Sequence, residues 1–199
     1  MSLKAIVDQI QHEASVLMGG ETENRRYTSQ NQFADEATAK EAFGRSVEKL
    51  LNVNGWSELS VLTADFYLHD HVGQPKPNGS PQPGDYVQII LLGPAPENWV
   101  RVVHVALDEH RAEFTVQPSP DPREKVSDEV EHFFDEKARS TFRVERMGNT
   151  IKAAEIGTDE AINQTGHRSL VNTVIAEGAW LFYQKIQWKT LTDYLVHLP

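Results

Sequence analysis

The residues best suited to metal chemistry are two histidines separated by one aspartate, His69-Asp70-His71. They end a stretch of alternating apolar and polar residues, so an extended strand would place both imidazoles on its polar face. Their Cα atoms would then lie about 6.6 Å apart, within reach of one metal ion. Asp65 lies too far along the same face to be a third ligand. The pattern leaves two interpretations: a metal site using His69 and His71, or two solvent-facing histidines where a strand enters a loop.

A second group of candidate residues lies in and beside GDYVQIILLGPAPENWVRVVHVAL, residues 84–107. Strand alternation places His104 on one face of residues 99–107 and Arg101 with Trp99 on the other. Because both faces are otherwise apolar, this strand is predicted to be central, and each inserted polar side chain needs a partner or a cavity. A satisfied core histidine beside an Arg–Glu pair is one interpretation, and a ligand pocket is the other. The pocket would be lined by Phe66, Tyr86, Trp99, Arg101 and His104.

Two further segments are candidates for binding a partner. Residues 72–84 contain four prolines and could form a lid over the pocket, a polyproline segment offered to a partner, or a plain connector. The final helical pattern carries Trp180 and Trp188, and aromatic surface on two of its faces would suit self-association. A helix packed between a sheet and the N-terminal helices would have the same composition. A homodimer through Trp180 and Trp188 therefore stands beside a purely structural reading.

Motifs that would identify an enzyme or a cofactor are missing from the sequence. It has no P-loop, no dinucleotide-binding glycine pattern, no G-x-S-x-G nucleophile elbow and no H-E-x-x-H. It also has no cysteine, which excludes disulfides and thiolate chemistry. We therefore assign no catalytic residue and no cofactor, and the sequence leans away from an enzyme.

Composition narrows the range of partners. The chain has 29 acidic and 19 basic residues, a formal net charge of −10, so nucleic acid and anionic membranes would repel it. No apolar run approaches the roughly 20 residues of a membrane-spanning helix. The first residues, MSLKAIVDQIQHEA, carry charges too early for a signal peptide. These features predict a cytoplasmic protein that binds neither nucleic acid nor membrane.

Helices are predicted where apolar residues recur at helical spacing. Ser127 is expected to cap one of them, Thr38 to Glu41 matches a capping box near the start of another, and the last is expected to kink or break after Gln184. The polar, aperiodic residues 21–34 predict a loop. The predicted helices are 3–18, 36–53, about 127–138, and 167–197.

Alternating apolar and polar residues predict an antiparallel meander of strands. A hairpin about Gly148-Asn149 is expected to follow it, with Met147 opposite Thr150, Glu145 opposite Lys152 and Val144 opposite Ala153. The prolines of residues 118–122 are expected to stop the meander, because proline cannot donate to a central ladder. The predicted meander strands are 61–72, 85–92, 99–107 and 112–117.

These elements predict an α+β fold, in which a largely antiparallel sheet of meander plus hairpin packs with N-terminal helices and a long C-terminal helix. One domain over residues 1–199 is the simplest account, with residues 1–58 as a helical N-terminal subdomain or arm. A long final helix lying across an antiparallel sheet resembles the helix-grip folds that hold apolar ligands, although the two leading helices depart from that order of elements.

The sequence alone favours a non-enzymatic cytoplasmic interaction domain that binds a protein partner or itself. Two alternatives stay open. One is a carrier of a small apolar ligand, which requires a pocket between the sheet and the C-terminal helix. The other is a metal-dependent hydrolase using His69 and His71, which requires further metal ligands from elsewhere in the chain.

Overall fold

The computed structural model describes residues 23–59, 64–90, 98–124, 137–160 and 186–199. Within them, seven strands form one curled antiparallel sheet in the order β1-β7-β6-β5-β4-β3-β2. The α+β class and the antiparallel meander plus hairpin are confirmed. The strands are β1 (Glu23–Gln32), β2 (Asp65–His69), β3 (Tyr86–Ile90), β4 (Asn98–Leu107), β5 (Arg111–Ser119), β6 (Arg139–Met147) and β7 (Thr150–Glu160).

Helices pack on one face of this sheet, which we call the inner face; it carries Phe66, Phe114 and Phe142. The helices are α1 (Glu36–Leu51), a 3-10 helix (Val53–Glu58) and α2, which covers residues 186–195 of the described chain. The opposite, outer face carries Tyr67, Trp99 and Arg101. Within the described residues, no helix is long and apolar enough to cross a membrane.

The hairpin register is confirmed pair by pair. Met147 lies opposite Thr150, Glu145 opposite Lys152 and Val144 opposite Ala153. Gly148 turns the chain with φ +57, a conformation that glycine adopts without steric cost. The charged pair lies on the outer face and the apolar pair on the inner face, so each register contact agrees with its surroundings.

The loop predicted for residues 21–34 is wrong, because strand β1 occupies most of it and pairs with β7. Apart from Tyr27, its inward side chains are polar, so the strand lacks the apolar alternation from which strands are predicted. Ser29 Oγ hydrogen-bonds to the Thr192 hydroxyl at 2.8 Å and donates to Asp193 Oδ1 at 2.6 Å. Asn31 Nδ2 donates to the Val196 carbonyl at 2.9 Å. Strand β1 is therefore attached to the C-terminal segment by hydrogen bonds.

Helix α1 confirms the predicted helix and most of its buried stripe, including Ala39, Phe43 and Leu50. The predicted capping box is wrong. The N-cap is Asp35, whose carboxylate accepts from Thr38 N at 2.7 Å, and this hydrogen bond lowers the pKa of Asp35. The helix ends at Leu51, and the 3-10 helix that follows carries the buried Trp56.

The face assignment of strand β4 holds only up to Val102. Val102 pairs with Val116, but His104 pairs with Thr115, so the register shifts by one residue at Val103. This β-bulge reverses the alternation beyond it. His104 therefore lies on the outer face with 57% of its side chain exposed, and the prediction of a buried core histidine is wrong.

Strand β5 continues through Pro118 to Ser119, past the point where its prolines were expected to stop it. Pro118 pairs with Val100 on β4. The last partner pair between β5 and β6 is Val116 with Ser140. Pro118 thus lies where β5 has one neighbouring strand, β4. A proline is tolerated there because β6 offers no partner for a backbone N–H at this position.

The last helix confirms the predicted stripe of Trp188, Leu191 and Leu195, all of which are buried. The predicted helix 3–18, most of the helix from Ser127, and residues 167–185 of the final helix lie outside the described residues.

Side chains cover the outer edge of strand β2, which would otherwise expose unpaired backbone groups. Ser57 Oγ accepts from Phe66 N at 2.8 Å, and Asn54 Oδ1 accepts from Leu68 N at 2.8 Å. The other end of the Asn54 amide donates to the Lys76 carbonyl at 3.0 Å. The 3-10 helix therefore replaces an eighth strand at this edge.

We predict that Asn54→Ala lowers the free energy of unfolding by about 1–3 kcal/mol, because Leu68 N–H would be left buried without an acceptor. Urea unfolding followed by far-UV circular dichroism measures the change. Asn78→Ala, in the exposed part of the Pro-rich loop, is the matched control and should stay within about 0.5 kcal/mol of the parent. Equal losses in the two variants would contradict this role for Asn54.

His197 fastens the end of the chain to helix α1. Its Nε2 donates to the Ala42 carbonyl at 2.9 Å, and its Nδ1 accepts from Lys49 Nζ at 3.0 Å. Ser46 Oγ lies 3.1 Å from the same Nε2. Both ring nitrogens of neutral His197 therefore have hydrogen-bond partners. A second proton would have to bind Nδ1, which already accepts from the Lys49 ammonium. Burial, together with the charges of Lys49 and Arg45, lowers the pKa of His197 below its ordinary 6.5.

We predict that stability falls as pH falls through 6.5. The unfolded chain binds a proton at His197 more readily than the folded chain, so acid favours unfolding until the lower folded pKa is passed. The effect of this one group grows with the difference between its unfolded and folded pKa values, at about 1.4 kcal/mol per pKa unit.

The variant His197→Asn should flatten this pH dependence, because asparagine does not titrate and tolerates the positive φ of 63 at this position. Urea unfolding at pH 5, 6, 7 and 8 measures it. His71→Asn, at an exposed histidine, should keep the slope of the parent. An unchanged slope in His197→Asn would show that another group carries the dependence.

Candidate ligand-binding site

The His69-Asp70-His71 segment forms a turn at the end of β2. The Asp70 carboxylate accepts from Val72 N at 3.0 Å and from Gln74 N at 2.9 Å, and these backbone hydrogen bonds lower the pKa of Asp70. His71 lies exposed in this turn. The two histidines therefore do not continue along one strand as predicted.

His69 is buried on the outer face, where a solvent-facing side chain was the alternative to a metal ligand. Its Nδ1 donates to the Gly73 carbonyl at 3.1 Å, and its ring packs edge-on against Trp99 at 4.8 Å between centroids. The guanidinium of Arg123 stacks on the same indole at 4.7 Å. Among the described residues, no three His, Asp or Glu side chains come together as a metal ion would require. In this structure His69 anchors the turn.

The five predicted pocket residues do not share one surface. Phe66 is buried on the inner face, opposite Ile89. Tyr86 and Arg101 are cross-strand partners on the outer face, with the guanidinium 6.0 Å from the ring centre. Trp99 also lies on the outer face, and beyond the bulge so does His104, 3.8 Å from a Glu113 oxygen. Phe66 therefore cannot line one pocket together with Tyr86 and Trp99, because it lies on the other face of the sheet.

The inner face instead carries a cluster of five aromatic residues, which we call the aromatic cluster. Neighbouring rings lie 5.1 to 6.3 Å apart, in edge-on, tilted and stacked contacts. It joins the 3-10 helix, strands β2, β5 and β6, and helix α2 through side chains from each. Its members are Trp56, Phe66, Phe114, Phe142 and Trp188.

Glu155, which the sequence analysis missed, lies on the same inner face. It is 1% exposed, opposite Phe142 on one side and Tyr27 on the other. Arg25, two residues before Tyr27 on β1, lies on the same face. The hairpin pattern held the signal, because Glu155 comes two residues after the inward Ala153 and so faces the same way. The inner face thus has an aromatic end and an end with charged and hydroxyl groups.

Trp188 belongs to the aromatic cluster and is 8% exposed. Its ring packs against Phe142 at 5.3 Å and Phe66 at 6.3 Å, so it occupies the interior. Trp180 lies outside the described residues. A homodimer through Trp180 and Trp188 stays a prediction.

The Pro-rich loop is held by a buried ion pair. Lys76 Nζ donates to Asp85 Oδ2 at 2.7 Å, and Gln82 N donates to the same oxygen at 2.9 Å. Lys76 N also donates to the Leu68 carbonyl at 2.7 Å, on the outer edge of β2. These contacts tie residues 76–85 to the sheet. The loop's predicted roles as a lid or a partner segment stay predictions.

No protein-family model matches the chain, and none of the curated proteins matches it. Among solved structures, the chain is similar to hypothetical protein jhp0584 from Helicobacter pylori, with a TM-score of 0.54, 10% identity and coverage of 91% of this chain and 92% of that one. It is also similar to major latex-like protein 151 from Panax ginseng, with a TM-score of 0.45, 12% identity and coverage of 88% and 99%. The first likeness shows the fold alone.

We predict that Lys76→Met lowers the free energy of unfolding by about 1.5–3 kcal/mol, because Asp85, 4% exposed, would lose its charged donor. Urea unfolding measures the loss. Lys40→Met is the matched control, since Lys40 and Glu109 form a longer pair at 3.6 Å with both side chains about two-thirds exposed. That control should change stability by less than about 1 kcal/mol. A similar result for both variants would refute the role of the buried pair.

Proposed function

We propose that this protein carries a small, largely apolar ligand on the inner face of its sheet, between the sheet and the C-terminal helix. The observation that carries the proposal is the composition of that face, which within the described residues is mostly apolar and holds one buried carboxylate, Glu155. Sites for small molecules are mostly apolar, with a few polar groups that orient the ligand. The inner face has that composition.

The apolar part of the face supports the proposal because it extends beyond the aromatic cluster. Val100 and Val116 continue it across β4 and β5, and half-buried Ile89 continues it onto β3. An apolar ligand laid along these strands would exchange water for side chains at roughly 25 cal/mol per Å² of apolar surface buried. This gain needs no charge complementarity, which suits a chain of net charge −10.

The polar part supports the proposal because it puts one carboxylate at a depth where apolar side chains also fit. Phe142, Val144, Ile151 and Ala153 show that apolar side chains fit the inner face of β6 and β7. A carboxylate at the same depth costs desolvation that an apolar residue avoids. Ionisable groups held at such depth are a feature of functional sites.

The outer face offers a weaker alternative. Strands β5 and β6 carry the ion pair of Glu113 with Arg143 there, and the turn after β5 carries that of Asp121 with Arg123. Exposed large apolar residues within the described chain are scattered over different strands and turns, for example Val72, Leu107 and Met147. A partner-binding role would need a contiguous patch, and these residues do not supply one.

Contact quenching by a bromine-labelled 12-carbon alcohol tests the carrier function. Bound probe is expected to quench tryptophan emission saturably, because Trp56 and Trp188 lie on the inner face. Trp99→Phe, which removes an outer-face tryptophan, should leave the quenched intensity nearly unchanged. Trp188→Phe should remove a large part of it while keeping an aromatic ring in the cluster.

The same protein should also show added mass in native mass spectrometry after incubation with the alcohol. Absence of both saturable quenching and added mass would reject the carrier function. Quenching that disappears in Trp99→Phe and persists in Trp188→Phe would place binding on the outer face and reject the inner-face site.

A further inference from the structure

We infer that Asn78, at the tip of the Pro-rich loop, is a modification site that deamidates spontaneously to isoaspartate and thereby loosens the loop. The sequence contains two Asn-Gly dipeptides, Asn54-Gly55 and Asn78-Gly79. Such dipeptides react readily, because glycine has no Cβ to hinder attack by its backbone nitrogen on the preceding side chain. The fold protects the first dipeptide and leaves the second able to react.

The reaction is intramolecular, so its rate depends on how easily the two reacting atoms meet. The backbone nitrogen of Gly79 attacks Cγ of Asn78 and loses its proton, the Cγ–Nδ2 bond breaks, and ammonia leaves with that proton. Water, the other reactant, then opens the succinimide ring. Opening at the side-chain carbonyl gives aspartate. Opening at the backbone carbonyl gives isoaspartate, in which the main chain runs through the former side chain.

Hydrogen bonds hold Asn54 away from this reaction. Its Oδ1 accepts from Leu68 N at 2.8 Å, and its Nδ2 donates to two carbonyls of the Pro-rich loop at 3.0 and 3.3 Å. The attacking nitrogen is also engaged, since Gly55 N donates to the Asn52 carbonyl at 3.0 Å. Turning the Asn54 side chain into the attacking geometry would break these bonds and leave the Leu68 N–H without its acceptor.

Asn78 has none of these constraints. Asn78 and Gly79 are both exposed. Within the described part of the chain, neither the Asn78 side-chain amide nor the Gly79 N–H has a hydrogen-bond partner. Exposed backbone without internal hydrogen bonds changes conformation at little free-energy cost. The two residues therefore reach the attacking geometry without breaking a contact of the fold.

Isoaspartate loosens the loop because both sides of its tip are attached. Asn54 Nδ2 donates to the Pro77 carbonyl at 3.3 Å, and Lys76 Nζ donates to the Ser80 carbonyl at 3.0 Å. The modification inserts a side-chain methylene into the backbone between these two carbonyls. It also adds a carboxylate near in sequence to the Lys76 ammonium, which binds Asp85. The longer, more negative tip no longer matches the present attachments.

Incubation of the full chain at mildly alkaline pH, followed by peptide mapping with mass spectrometry, tests the site. The mass increase from exchange of NH2 for OH marks conversion, and labelling by a protein isoaspartyl methyltransferase marks isoaspartate. In folded protein Asn78 should convert at least about tenfold faster than Asn54, a barrier difference of about 1.4 kcal/mol. In urea-unfolded protein the two rates should become similar, because glycine follows both asparagines.

Gly79→Ala should slow conversion of Asn78 about tenfold, because the added Cβ hinders the attack. That Cβ would meet the flexible side chain of Lys76. Gly44→Ala is the matched control, since an added Cβ there has open space, and it should leave the rate at Asn78 unchanged.

Hydrogen exchange of converted and fresh protein tests the loosening. The Gln82 amide, which donates to Asp85 Oδ2, should exchange faster after conversion, and the Asn52 amide at the end of α1 should not change. Equal rates at Asn54 and Asn78 in folded protein would overturn the inference, and so would a difference that persists in urea, because the fold would then not select the site. Unchanged exchange at Gln82 would overturn the loosening of the loop.

Discussion

The packing of Trp56 is the contact on which the rest of the structure depends. Its ring lies 5.1 Å from Phe142, 5.5 Å from Phe66 and 5.8 Å from Phe114, and so touches three strands of the sheet. Its indole N–H donates to the Lys49 carbonyl at 3.0 Å, near the end of α1. One side chain thus sets both the depth of the 3-10 helix on the inner face and its position along the edge of β2. With the 3-10 helix in place, Asn54 and Ser57 reach the backbone of that edge strand.

Those parts of the fold that obey one local rule could be predicted from the sequence. The hairpin is the clearest case, because a glycine at the turn, one charged pair and one apolar pair all agree on a single register. Helix α1 was predicted for a similar reason, as its apolar stripe repeats with one period. In both, local preference and tertiary packing point the same way, so the pattern alone is sufficient.

The errors came from residues whose environment is set by distant contacts. One extra residue, Val103, reverses the faces of β4, and a bulge of this kind leaves no periodic trace in the sequence. Strand β1 was missed because its inward Ser29 and Asn31 meet polar groups some 160 residues further along the chain. The capping box failed because Asp35 and Thr38 both match N-cap preferences, and spacing alone does not choose between them.

The candidate site was also hard to predict, because its residues come together only through contacts between distant parts of the chain. Aromatic residues were singled out as pocket candidates, but Phe66 on β2 and Trp99 on β4 lie on opposite faces of the sheet, which the sequence pattern did not reveal. Glu155 was available from the hairpin register and was missed because a glutamate in a strand is usually assigned to solvent. Ser29 and Glu155 are both polar residues on the inner face, and they contact different elements. Ser29 has its hydrogen-bond partners in helix α2, and Glu155 lies between Tyr27 of β1 and Phe142 of β6; only the folded sheet brings these residues together.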